Sequence, residues 1–152
     1  MESTATAKKI QAREVTGEQF RVMLGRHLEP MGSLKWDWDF PNEILEHLHV
    51  LSVDYQQSAW RYYELSNEGF YMAPDSPPLR VCMNQTAEMT GDAAGITTCL
   101  FVLEGLGVLD TSLSHHHKRL QAFADQHAEA ELIHFVNTEP TASNDVSEGM
   151  TP

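Results

Sequence analysis

Trp60-Arg61-Tyr62-Tyr63-Glu64-Leu65-Ser66-Asn67-Glu68-Gly69-Phe70-Tyr71-Met72-Ala73-Pro74 is the stretch from which the rest of the chain is read. From Ala59 the apolar period becomes two. Trp60, Tyr62 and Glu64 alternate with Arg61, Tyr63 and Leu65, and the aromatic enrichment marks a strand. Ser66 to Gly69 is a turn, and Gly69 to Ala73 is the return strand, stopped by Pro74. Asp75-Ser76-Pro77-Pro78 then turns the chain again, and Leu79 to Met83 alternates once more. Three consecutive strands with short connections predict an antiparallel meander.

On either side the period is helical. Thr16 and Gln19 form a T-x-x-Q capping box ahead of Phe20, Met23 and Leu24. Pro41 opens a second, amphipathic helix carrying Ile44, Leu45, Leu48 and Leu51, with Glu43, Glu46 and His47 on its outer face. Thr90 caps a third, with Asp92 in the first turn where the helix dipole favours an anion. Ala93, Ala94, Ile96, Cys99 and Leu100 to Leu103 leave that helix almost no polar face, which predicts burial on most sides. Gly95 costs it about 1 kcal/mol relative to Ala, so a backbone or ring is expected close against it. Further helices are expected from Ser114 to His127 and from Glu129 to Val136. Helices, then strands, then helices define an α+β fold: a three-stranded antiparallel meander packed on four to five helices, in a single domain.

The 152 residues suit one domain, and 41% hydrophobic content suffices for one core. Residues 1–15 and 137–152 read as flexible ends, the second acidic, around a domain of 16–136. The net charge of −12 repels phosphate backbones, so direct nucleic-acid or anionic-membrane binding is not expected. No apolar run is long enough to span a bilayer, and Met1 to Glu14 has no apolar signal core, so a cytoplasmic setting is expected. Cys82 and Cys99, both among apolar neighbours, read as reduced core residues.

No catalytic constellation stands out. His115, His116 and His117 fan out by about 100° each at a helix start and do not converge on one ion, so no metal and no cofactor are expected. Neither cysteine has the polar, electropositive setting a nucleophile requires. After Arg119 there is no Lys or Arg, while Asp125, Glu129, Glu131, Glu139, Asp145 and Glu148 follow. An acidic DNA mimic therefore stands as an alternative, although it would require carboxylates at the roughly 1.7 Å axial charge spacing of DNA. A metal-dependent enzyme is a second alternative.

The stretch from Trp60 to Pro74 resembles the signature of the KlcA/ArdB family of antirestriction proteins, which typically reads W-x-F-Y-E-L-S-N-G-G-F-Y-M-A-P there. Asp92-Ala93-Ala94-Gly95-Ile96 matches that family's S-A-D-A-A-G-I helix start, and Asp54-Tyr55 its D-Y ahead of the first strand. The chain departs from the pattern at Gln56 to Ala59, where the family is Gly-rich, and at Glu68, which replaces the first Gly of N-G-G. A positive φ at that position would cost Glu68 about 1–2 kcal/mol. The resemblance implies a small cytoplasmic protein of mobile elements that protects incoming DNA from host type I restriction-modification enzymes, without being a nuclease. Its expected partner is the restriction complex or an associated host factor.

Most of the motif is expected to serve the fold: Trp60, Tyr63, Leu65, Gly69, Phe70, Met72, Pro74, Asp92, Ala93, Ala94 and Gly95. The hairpin tip and its polar flanks, Glu64, Ser66, Asn67, Glu68, Tyr71 and Asp75, are the expected partner-binding residues.

Overall fold

A computed structural model describes residues 9–28, 40–109 and 114–138. Residues 1–8 and 139–152 of the two expected flexible ends lie outside the described residues. The hairpin is present as β2 (Trp60–Leu65) and β3 (Phe70–Pro74), paired antiparallel with Glu64 opposite Phe70 and Trp60 opposite Pro74. Its three-residue loop is closed by Glu68 N–H donating to Leu65 O at 2.9 Å and Leu65 N–H donating to Gly69 O at 2.8 Å. This is the geometry in which a turn is followed by one residue in the left-handed region. Glu68 occupies that position at φ 72°, the one non-glycine with positive φ among the described residues.

The third strand of this sheet is β1 (Ala12–Val15), in the order β1-β2-β3, with Arg13 opposite Glu64. Two expectations are corrected here. Residues 12–15 are not part of a loose end. Nor does Leu79 to Met83 pair with the hairpin: β4 (Leu79–Cys82) and β5 (Thr86–Met89) form a separate two-stranded sheet. The physical reason lies along the outer edge of β3, where α3 (Gly91–Leu109) occupies the place another strand would take. A Cβ on Gly95 would stand 2.4 Å from the Ala73 Cα and 2.5 Å from the Met72 carbonyl oxygen, and one on Gly91 2.4 Å from the Pro74 oxygen. Cys99, one turn after Gly95, points its thiol at the same Met72 oxygen, 3.6 Å away. Positions 91, 95 and 99 share a helix face, so these small residues let the helix lie directly on the strand backbone. The close neighbour expected at Gly95 is β3 itself. A helix over an open sheet edge also blocks pairing with other chains.

The helix starts follow the sequence closely. Thr16 and Gln19 exchange two hydrogen bonds of 3.0 Å at the entrance of α1 (Gly17–Leu28), completing the capping box. Helix α2 (Phe40–Leu51) buries Ile44, Leu48 and Leu51, and α4 (Ser114–Asp125) buries Leu120 and Ala124. The last element among the described residues is α5 (Ala130–Asn137), which packs on β5 and buries Ile133 and Val136. One hydrophobic core runs through all these helices and the hairpin. Phe70 is central to it, with edge-on contacts to Phe20 and Phe40 at 6.0 and 5.6 Å. Cys99 is buried as expected, and burial pushes its thiol up to about 12. Cys82 is exposed at the end of β4, against the expectation of a core position. No helix among the described residues is long and apolar enough to cross a membrane.

Candidate functional site

The hairpin tip is docked on the protein rather than projecting from it. Asn67 donates through Nδ2 to the Arg119 carbonyl of α4 at 3.0 Å, while its Oδ1 accepts from Gly69 N–H at 3.0 Å. Ser66 Oγ accepts from Gln11 N–H at 2.9 Å, and Glu64 pairs with Arg13 across the sheet. Glu68 is exposed at the apex. Four of the expected partner-binding residues thus meet at one tip, but three of them also hold neighbouring segments in place.

Tyr71 does not belong to that surface. It is 2% exposed, stacked on Tyr63 at 4.7 Å and against Phe123 at 5.6 Å, with its hydroxyl donating to Asp92 Oδ1 at 2.8 Å. By strand alternation Tyr71 points to the face opposite Phe70 and Met72. In the structure α4 covers the second face of β3, so all five residues of the strand are buried. Burial and the adjacent Asp92 carboxylate drive the Tyr71 phenol far above its ordinary range.

Tyr71 leads into a polar chain at the start of α3. His127 Nε2 lies 2.8 Å from Asp92 Oδ2, and His127 Nδ1 accepts from Glu129 N–H at 2.9 Å, so in the neutral ring Nε2 is the donor. Glu129 accepts in turn from Thr90 N–H at 3.0 Å and from the Thr90 hydroxyl. That hydroxyl also caps α3 by accepting from Ala93 N–H at 3.2 Å. The hydrogen bond to Asp92 holds the His127 pKa above its ordinary value, against the opposing pull of burial. These groups satisfy one another, tying β3, α3 and the α4–α5 corner together.

Beside this chain lies a cleft of about 310 Å³ bordered by Arg61, Tyr63, Asp75, Ser76, Gly91 and Asp92. Arg61 bridges Glu14 of β1 and Asp75, each at 3.3 Å, and is raised in pKa chiefly by Asp75. Burial and then Asp92 raise the Tyr63 phenol. The cleft therefore offers one guanidinium, two carboxylates and a phenol, a polar mouth suited to recognising a partner's charged or hydrogen-bonding groups. Reading the sequence alone missed Arg61, His127 and Glu129. Arg61 sits inside the motif and was visible there; the other two join Asp92 and Thr90 across more than thirty residues with no local signal. Of the acids of the C-terminal third that lie among the described residues, Asp125 pairs with His134 at 2.8 Å and Glu129 accepts from Thr90. No three His, Cys, Asp or Glu side chains among the described residues group so as to hold a metal ion.

An α+β domain whose hairpin edge is covered by a Gly-rich apolar helix has known relatives. The profile of the antirestriction protein family matches residues 53–136, and the chain belongs to that family. An antirestriction protein KlcA of Escherichia coli is 39% identical over 94 residues, covering 55% of this chain and 64% of the relative. The uncharacterised protein YfjX of E. coli K12 is 34% identical over 88 residues, covering 53% and 58%. The matched segments thus span less than two thirds of either relative. A solved structure superposes with a TM-score of 0.71 at 28% identity, over 86% of this chain and 96% of the other. It comes from work on KlcA and ArdB that describes a novel fold and antirestriction activity against type I DNA restriction systems in vivo but not in vitro.

Proposed function

We propose that this chain protects incoming mobile-element DNA in the cytoplasm by inhibiting type I restriction-modification systems through non-catalytic binding. The observation that carries the reading is the superposition over 86% of the chain on a protein of the KlcA and ArdB work. Binding rather than catalysis is supported by the polar chain at the start of α3. Tyr71, Asp92, His127 and Glu129 engage each other, and Tyr71 is 2% exposed, so these polar groups are taken up in holding β3, α3 and the α4–α5 corner together. The partner is the restriction complex or a host factor associated with it, and the second fits a relative's activity seen in vivo but not in vitro. The contact surface is the Glu68 apex with the polar mouth at Arg61 and Asp75; Glu64, Ser66 and Asn67 set its shape from within the tip.

Graded expression in a type I restricting host, read as plating of unmodified phage, tests this. A binding inhibitor gives relief that rises with the amount of protein, and the exposed pair Arg61→Gln with Asp75→Asn lowers it at equal protein level. Full relief at trace expression, or none at any level, contradicts the reading.

A further inference from the structure

A second and larger cleft, about 670 Å³, lies away from the hairpin, between α2, α3, the β4–β5 turn and the end of α5. Its apolar lining includes Leu51, Met83, Val102 and Phe101. Phe101 is 41% exposed although it belongs to the most apolar helix of the chain. One turn further along the same face is Gly105. Among the described residues nothing packs against Gly105 in a way that requires a glycine. A Cβ there meets no heavy atom within 4 Å, unlike Gly91 and Gly95 on the β3 side. A helix-interior glycine is unfavourable relative to other residues, so its effect here is to leave the cleft open beside Phe101, whose ring has the His47 imidazole 5.5 Å away on one side. Among the described residues the charged groups lining the cleft are Glu43 and Glu104, beside His47, with no Lys or Arg. The volume falls in the range of ligand and peptide pockets.

We infer that this cleft seats a basic amphipathic helix of a partner protein. An aromatic or leucine anchor fills the space over Gly105 against Phe101, and Lys or Arg on the flanks reach Glu43 and Glu104. Such a helix supplies both things the cleft lacks, an apolar cover and positive charge. The inference does not rest on the proposed antirestriction role, because it is read on the purified chain.

The probe is a dye-labelled helical peptide of Leu and Lys with one apolar face, titrated into the full chain and followed by fluorescence anisotropy. Its controls are a scrambled peptide of equal charge and a Leu/Glu counterpart. The expected result is binding of the ordered basic peptide roughly tenfold tighter than the scrambled one, and none of the acidic one. Gly105→Leu fills the cleft, abolishes that preference and leaves Tm no lower, since the added side chain replaces an unfavourable helix glycine. Glu43→Gln with Glu104→Gln weakens binding about fivefold, as two half-exposed ion pairs predict. Equal binding of ordered and scrambled peptides, or indifference to Gly105→Leu, would mean generic attraction to an acidic chain and overturns the inference. Absence of binding overturns it too, as does a dimer in sedimentation that Gly105→Leu dissociates, because a second copy would then be the occupant.

Discussion

Glu68 holds the left-handed corner of the hairpin with a side chain that the position disfavours. Glu68→Gly removes the Cβ clash, offset in part by the extra freedom of glycine in the unfolded chain. The expected gain is about 0.5–1 kcal/mol, seen as a Tm higher by roughly 2 °C; a lower Tm would show that Glu68 makes a compensating contact. Asn67 was legible as a turn residue but not as a clamp, because its partner Arg119 lies 52 positions away. Asn67→Ala leaves the Arg119 carbonyl and Gly69 N–H without it and is expected to cost about 1–3 kcal/mol in urea unfolding. Loss of function at Asn67 therefore reports on the scaffold, whereas Glu68→Gly tests the surface without weakening the fold. Gly95→Ala forces a methyl into the Ala73 backbone, so a loss above about 2 kcal/mol is expected. Unchanged stability would mean that α3 can lift from β3.

At the scale of elements, features with a local code were readable and those decided by distant contacts were not. The capping box at Thr16, the turn at Ser66 and the apolar helix after Thr90 each announce themselves within a few residues. Strand β1 is four exposed or half-buried residues whose order comes from pairing with β2, so its own sequence carries no strand signal. The second face of β3 was hidden for the same reason, since α4 supplies its cover. The joint between α3 and the α4–α5 corner has a pH signature. His127 has a pKa above its usual value of about 6.5, chiefly through its hydrogen bond to Asp92, so the folded state binds that proton more tightly than the unfolded chain. Its contribution is complete below about pH 6.5 and is lost as pH rises through the folded value. The stability gap between the parent chain and His127→Gln is therefore expected to be wider near pH 6 than near pH 8. A gap that is constant or widens with pH, measured by urea unfolding, would contradict the assignment.

For the whole molecule, the motif that carries the family resemblance is also the joint on which the fold depends. Trp60 to Pro74 forms the hairpin, and Gly91 to Cys99 seals its edge. The α+β class and the location of the motif were therefore open to reading. The three-stranded antiparallel order was open too, but not the identity of its third strand, because nothing in Leu79 to Met83 shows that α3 already occupies the place beside β3. The candidate surface was legible only in part. Its apex and Asp75 lie where strand and turn patterns put them, while the polar chain behind it depends on His127 and Glu129 arriving from another element. The same relation constrains mutational work on function: changes within the motif disturb the hairpin–helix joint first, and only exposed positions such as Glu68, Arg61 and Asp75 separate recognition from folding.

The most direct measurement is the efficiency of plating of unmodified phage on a type I restricting strain, with and without this protein accumulated in soluble, folded form. The account predicts that plating rises toward the level of a non-restricting strain when the protein is present. Plating that stays at the restricted level would contradict it.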